Sequence, residues 1–267
     1  MENELRTAMA AAVAAGLEIM DIYNRPETEW EVAFKADHSP LTLADRKAHA
    51  VIREKLQSMA YPLLSEEGDD VDYAVRSQWD RFWIVDPLDG TKEFVKRNGE
   101  FTVNIALVDH GQPILGVVYV PVSRVLYFGS VATGAFKAVV TDPENLDILE
   151  PQRLPMEPPQ IFTIVASRSH LSPETVDYIE AIRQQKGEVR TVQGGSSLKI
   201  CYVAEGVAHL YPRLGPTMEW DTAAGHALVK AAGGEMYDAH TGKPVHYNKE
   251  DLHSPWFIVK GAGVVVE

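Results

Sequence analysis

An apolar run that leads directly into two aspartates is the most chemically loaded stretch of the chain: Trp83-Ile84-Val85-Asp86-Pro87-Leu88-Asp89-Gly90-Thr91. Pro87 and Gly90 predict a tight turn at a strand end, so that Asp86 and Asp89 face one space and the peptide groups between them become accessible. Two carboxylates held that close repel, and one takes up a proton unless a divalent cation between them keeps both ionised. Magnesium suits such a pair, because it takes hard oxygen ligands from one or two carboxylates and completes its shell with water and substrate phosphate. Two other acidic segments have related settings. Ser65-Glu66-Glu67-Gly68 follows a short apolar run, and Glu219-Trp220-Asp221-Thr222-Ala223-Ala224-Gly225 places an acid at the start of a small-residue helix. Each segment also has a plainer reading: Asp, Pro and Gly compose ordinary polar turns, Glu66 can be solvated, and Asp221 can be a helix N-cap.

The elements that must position these acids are legible as periodicities. Apolar Leu5, Met9, Val13, Leu17 or Met20, and Tyr23 predict a first helix, with Ala filling the rest. A second runs from about Leu43 to Met59 and carries Asp45 in its first turn. Strands are predicted over Pro62–Ser65, Arg81–Asp86, Phe101–Asp109, Ile114–Val122, Val125–Ser130 and Ala135–Val140. In Phe101–Asp109 the period of two puts Thr102, Asn104 and Ala106 opposite Phe101, Val103, Ile105 and Leu107, so one face of that sheet is expected to be buried. Pro143, Pro151, Pro155, Pro158 and Pro159 then mark a boundary near residue 150. Beyond it come a strand at Ile161–Ser167, a helix at Pro173–Lys186, a strand at Val189–Gln193, a helix at Ser196–Glu205, a strand at Ala208–Tyr211, a helix at Glu219–Ala232 and a strand at Trp256–Lys260. That alternation argues for an α/β second half, residues 151–267, after an α+β first half, residues 1–150.

Composition narrows the classes further. The 267 residues hold 25 Lys and Arg against 38 Asp and Glu, a net charge of −13 that disfavours a nucleic-acid backbone as partner. A single cysteine, Cys201, excludes an intramolecular disulfide framework and a multi-cysteine zinc site, and suits a reducing compartment. Met1 to Glu4 is acidic where a signal peptide is basic, and no apolar run approaches the roughly 18 residues of a membrane span. The expectation is a cytoplasmic protein without an integral membrane segment, with peripheral contact at the cytoplasmic face of the inner membrane left open.

Taken together, the three acidic segments resemble those of the magnesium-dependent, lithium-inhibited phosphatases of the inositol monophosphatase superfamily, over nearly the whole chain. The Asp86-Pro87-Leu88-Asp89-Gly90-Thr91 motif is the most specific of them. The resemblance implies a layered αβαβα fold with a largely antiparallel N-terminal sheet and a site between the two halves. It implies that Glu66, Asp86 and the carbonyl of Leu88 ligate one Mg²⁺, that Asp86, Asp89 and Asp221 ligate a second, and that a third, weaker ion leans on Glu66. Asp45 and Thr91 are expected to hold the attacking water, and Gly90 and Thr91 to present backbone N–H groups to phosphate oxygens. Phosphoester hydrolysis by direct attack of water fits this set, since catalysis is then positioning plus charge stabilisation.

The substrate is read from departures within the family. Inositol phosphatases place a glutamate seven residues before the aspartate matching Asp221, and this chain has Leu214 there. Tyr211 to Asp221 instead resembles the bacterial CysQ-type 3′(2′),5′-bisphosphate nucleotidases. Ser167-Arg168-Ser169-His170 is similar to a segment whose histidine contacts nucleotide, and Gly194-Gly195-Ser196-Ser197-Leu198-Lys199 to the glycine turn and lysine that meet it. Gly195 is expected to allow close backbone approach, Ser196 to cap the following helix, and His170 and Lys199 to bind substrate, with a solvated His170 and a surface Lys199 as the plainer readings. The expected reaction removes the 3′-phosphate of 3′-phosphoadenosine 5′-phosphate, giving AMP and phosphate in sulfur metabolism, with the sulfated nucleotide as a further substrate. The alternatives are an inositol or sugar-phosphate phosphatase and, from another class, a non-catalytic phosphate-ligand sensor.

Overall fold

Alanine has the highest helix propensity, and the alanine-rich opening forms α1 (Glu2–Tyr23), which buries Ala8, Ala12, Val13, Ile19 and Ile22 along one stripe. The computed structural model describes residues 1–34, 40–167 and 172–266. A ribbon of β1 (Ala33–Phe34) with β2 (Pro40–Leu41) leads into α2 (Leu43–Leu56). There follow β3 (Leu63–Ser65), α3 (Tyr73–Arg76), β4 (Arg81–Asp89), α4 (Thr91–Val95), β5 (Thr102–Asp109), β6 (Gln112–Val120), β7 (Val125–Ser130), β8 (Gly134–Val139) and β9 (Gln152–Leu154). The remainder is β10 (Phe162–Ser167), α5 (Pro173–Lys186), β11 (Val189–Gly194), α6 (Leu198–Glu205), β12 (Leu210–Arg213), α7 (Glu219–Ala231), β13 (Glu235–Asp238) and β14 (Phe257–Lys260).

Strands β3 to β9 form a seven-stranded sheet in chain order, antiparallel except where β3 runs beside β4. The second sheet has five strands in the order β11-β10-β12-β14-β13, parallel from β11 to β12 and antiparallel from β12 to β13. Helices α1 and α2 cover one face of the larger sheet, α6 and α7 fill the space between the sheets, and α5 covers the far face of the smaller one. The result is a mixed α/β fold in five layers.

Alternation along β4 and β5 divides their side chains between two cores. Trp83, Val85, Ile105 and Leu107 pack toward α1 and α2, whereas Phe82, Ile84, Ala106 and Val108 pack toward α6 and α7. Both faces of β5 are therefore buried, against the expectation of one buried face, because helices lie on either side of the sheet. A third core joins Ile164 and Leu210 to Ile179 and Ile182 of α5. The second half also departs from simple alternation: β13, with no counterpart in the sequence reading, pairs antiparallel with β14, and the strand expected at Ala208–Tyr211 lies at Leu210–Arg213. Among the described residues no helix is long and apolar enough to cross a membrane.

Helix α7 lies close against β6 because Gly116 has no side chain; a Cβ there would sit 2.2 Å from the carbonyl oxygen of Ala224. Gly116→Val is expected to push α7 off the sheet and lower unfolding stability by about 3 kcal/mol. Chemical denaturation checks this, and a wild-type midpoint would mean that the helix is free to move outward.

Candidate active site

The strand that delivers the first two aspartates does not turn after Asp86. It continues to Asp89 with a bulge, Asp86 facing Asn104 and Asp89 facing Thr102, so that three steps on β4 match two on β5. Pro87 has no N–H for the ladder and is tolerated at such an irregularity, which replaces the tight turn expected from the sequence. The Asp86 carboxylate folds back to accept the Leu88 N–H at 3.0 Å. Gly90 then takes φ +91°, a left-handed conformation open to glycine, and starts α4.

The bulge and the start of α7 bring three acids together. Carboxylate oxygens of Asp86, Asp89 and Asp221 all lie within 4.8 Å of one another. Asp221 is in the first turn of α7, where its Oδ2 accepts the Met218 N–H at 2.9 Å. Its companions come from the bulged end of β4, so a strand of the larger sheet and the first turn of α7 meet at this point. Glu66, at the end of β3, is tied to β4 by its N–H on the Val85 carbonyl at 3.1 Å and hydrogen-bonds with Asp86. It lies outside the tight triad.

Asp45 is held equally firmly. Thr42 caps α2, its N–H and hydroxyl donating to Asp45 Oδ2 at 2.7 and 2.6 Å. The other oxygen, Oδ1, faces the Thr91 hydroxyl at 3.2 Å, which in turn lies 3.3 Å from the Leu88 carbonyl. Asp45, Thr91 and Leu88 thus adjoin the acid cluster.

Asn104 and Ser197 complete it; Ser197 lies within the Gly194–Lys199 motif without a role assigned to it there, and Asn104 lies in no motif. Ser197 Oγ lies 2.6 Å from both Asp89 Oδ2 and the Asp221 carbonyl, and Asn104 Nδ2 donates to Asp89 Oδ2 at 3.3 Å and to Ser197 Oγ at 2.9 Å. The available signal was polar Thr102 and Asn104 within an otherwise apolar strand. For Thr42 it was the Thr-x-x-Asp spacing of a capping box.

The electrostatics are those of like charges forced together out of water. Burial, then the charges of Glu66, Asp89 and Asp221, push the Asp86 carboxyl well above the usual carboxylate range. Burial, followed by the charge of Asp89, pushes Asp221 up to about 8. Asp89 is also raised by burial, against the opposing hydrogen bond from Ser197 and the charge of Lys199. Burial pushes Asp45 up to about 6, despite the bonds from Thr42. The donor set is carboxylate, with hydroxyl and carbonyl oxygen nearby, and it carries more negative charge than a buried space tolerates alone. It therefore fits a hard divalent cation.

Beside the cluster opens a cleft of about 270 Å³ whose walls include Gly90, Thr91, Gly195, Lys199, Tyr211 and Arg213. Lys199 is buried, not a surface charge. Its Nζ donates to the Ser196 carbonyl at 2.5 Å, and desolvation lowers its pKa. At Gly195 the close approach is to the chain itself, since a Cβ would lie 2.9 Å from the Glu100 carbonyl. Ser196 does not cap α6: it takes φ +36° and donates to Glu100 O at 2.8 Å, while Ser197 occupies the N-cap. Leu214, at the position read as separating substrate classes, packs into the third core beside α5 instead of facing the cleft. His170 and its neighbours Arg168 and Ser169 lie outside the described residues.

Comparison with known proteins supplies an independent line. A family model described as inositol monophosphatase family matches residues 1–266. The chain is 50% identical over 248 residues to the 3′(2′),5′-bisphosphate nucleotidase CysQ of Shigella flexneri, covering 92% of this chain and 94% of that protein. Among solved structures it is similar to CysQ from Bacteroides thetaiotaomicron, with TM-score 0.88, 51% identity and 98% of each chain covered. It is also similar to the extragenic suppressor protein suhB from Bartonella henselae, with TM-score 0.76 and 26% identity over 98% of this chain and 94% of that one.

Proposed function

The chain belongs to the inositol monophosphatase family, and from that premise we propose that it is a phosphoric monoester hydrolase acting on 3′(2′),5′-bisphosphate nucleotides. The proposed reaction converts 3′-phosphoadenosine 5′-phosphate to AMP and phosphate. The observation that carries the hydrolase reading is the convergence of Asp86 and Asp89 from β4 with Asp221 from α7, beside a cleft that Asp89 and Asp221 help to line. The substrate reading rests on the half-identical relatives that bear the nucleotidase name, and on Leu214 being turned into the core.

In this reading Asp86, Asp89 and Asp221, with Glu66 and the Leu88 carbonyl, would hold two to three Mg²⁺. When bound, such ions supply positive charge against the phosphoryl and leaving oxygens and lower the pKa of water. The chain's own residues do the positioning. Asp45, pushed up to about 6 and aimed at the Thr91 hydroxyl, is poised to orient the attacking water and take its proton. Gly90 and Thr91 offer N–H groups to the phosphate, and Lys199 faces the remaining charge of the nucleotide. Water adds to phosphorus as the ester P–O bond breaks, and the departing 3′ oxygen takes up a proton.

Phosphate release from the bisphosphate nucleotide, from inositol 1-phosphate and from fructose 1,6-bisphosphate, each with Mg²⁺, tests the reading. Preference for the nucleotide is the expected result; preference for inositol 1-phosphate would overturn the substrate, and release from none would favour a ligand sensor. Lys199→Met, which keeps the buried volume, is expected to raise KM for the nucleotide about tenfold while moving KM for a simple aryl phosphate far less. Equal changes for both would remove Lys199 from nucleotide recognition.

A further inference from the structure

Away from the acids, a buried arginine ties together the two segments that carry Glu66 and Asp221. Arg76 ends α3 in the β3–β4 connection and is 4% exposed. Its guanidinium donates to the Asn248 side-chain oxygen at 3.0 Å, the Lys249 carbonyl at 2.5 Å and the Glu250 carbonyl at 2.7 Å. Asn248 returns the bond, its Nδ2 donating to the Arg76 carbonyl at 2.6 Å. The backbone at Asn248 takes φ +68°, a conformation asparagine tolerates better than most residues.

On its other side the same loop is held by α7. Glu219 is fully buried, and its carboxylate accepts the N–H groups of Asn248 at 2.6 Å and Lys249 at 3.1 Å as well as the Lys249 ammonium. Glu219 stands two residues before Asp221, and its own N–H donates to the Leu252 carbonyl at 2.9 Å. The start of α7 is thus fastened to residues 248–252, and that loop is fastened by Arg76 to the connection that begins at Glu66. A planar fork reaching three acceptors fixes direction as well as distance, which a lysine there would not.

We propose that Arg76 is a positioning residue: through Asn248 and Glu219 it sets Asp221 in register with Glu66, and so tunes cation affinity without entering the cleft. This rests on the metal-dependent reading above. Groups that hydrogen-bond a metal ligand directly typically alter affinity about 10–100-fold when replaced, so a residue acting through the intervening loop is expected at the low end of that range.

The test is direct binding of Mn²⁺, followed by its electron paramagnetic resonance signal, to wild type, Arg76→Lys and Asn248→Gly at a temperature where all three are folded by circular dichroism. Asn248→Gly preserves the left-handed backbone while removing the side-chain bridge, and so remains informative if the arginine variant does not fold. The expected result is binding weakened about tenfold in both variants, with turnover recovering at saturating Mg²⁺ to within a few-fold of wild type. Wild-type affinity in both, or a loss of turnover that saturating Mg²⁺ leaves in place, overturns the proposal. Failure of wild type itself to bind Mn²⁺ would instead remove the metal-dependent reading on which it rests.

Discussion

Asp89→Asn is expected to lower phosphate release by at least about 10³-fold while the fold survives. Asparagine matches aspartate in shape and keeps one oxygen to meet Ser197 and Asn104, which approach Asp89 Oδ2 at 2.6 and 3.3 Å. What is lost is a negative charge at the point where three acids converge. The stability effect should have the opposite sign to the activity effect. Removing one of several buried like charges relieves repulsion, so in chelator the variant is expected to melt at or above the wild-type temperature, and to gain less from added Mg²⁺. Circular dichroism melts and a phosphate-release assay on the same preparation check both halves. Wild-type turnover would exclude Asp89 from the reaction, and a collapsed fold would make it a structural residue.

A second large effect is expected in the pH dependence of the chelated protein. Asp221 has its carboxyl pushed up to about 8 and Asp45 to about 6, from an ordinary value of 3.8. Between roughly pH 4 and pH 8 the folded chain therefore holds protons that the unfolded chain has released, and stability falls as pH rises through that window. A divalent cation removes the reason for holding those protons, so its stabilising effect should grow with pH. We expect millimolar Mg²⁺ to raise the melting temperature by about 10 °C near pH 8 and by distinctly less near pH 5. Calorimetry with and without chelator tests this; equal shifts at both pH values, or none, would mean that Asp221 and its neighbours Asp86 and Asp89 do not share a cation.

How much of this was legible in the sequence depended on whether the cause was local. Periodic apolar spacing is local, and the helix at Pro173–Lys186 and the strand at Val125–Ser130 were readable from it, as was the helix expected at about Leu43–Met59, which ends at Leu56. The bulge after Asp86 was not, because Pro and Gly also spell a turn and only pairing with Asn104 and Thr102 decides between the two. Burial of both faces of β5 was likewise invisible, since it depends on α7, far along the chain, lying over Ala106 and Val108. The acids themselves stood out by residue type, but Ser197 and Asn104 did not, because a serine and an asparagine acquire meaning only from the carboxylate that folding places beside them. Ser196 was read as a cap because serine caps helices, whereas its positive φ and its bond to Glu100 come from tertiary packing. Burial of Lys199, which rules out the plainer surface reading, is not legible either: nothing adjacent in sequence says that its helix lies between two sheets.

Asp45 and Asp221 share one detail with a consequence for how the protein reaches working order. Each occupies the first turn of its helix and has Oδ2 engaged by the backbone N–H three residues earlier, Thr42 in one case and Met218 in the other. Winding the helix and aiming the acid are therefore one event, and no rotamer search is left over once the backbone has set. Lengthening either side chain to glutamate would retain the charge but uncouple its direction from the coil that now dictates it.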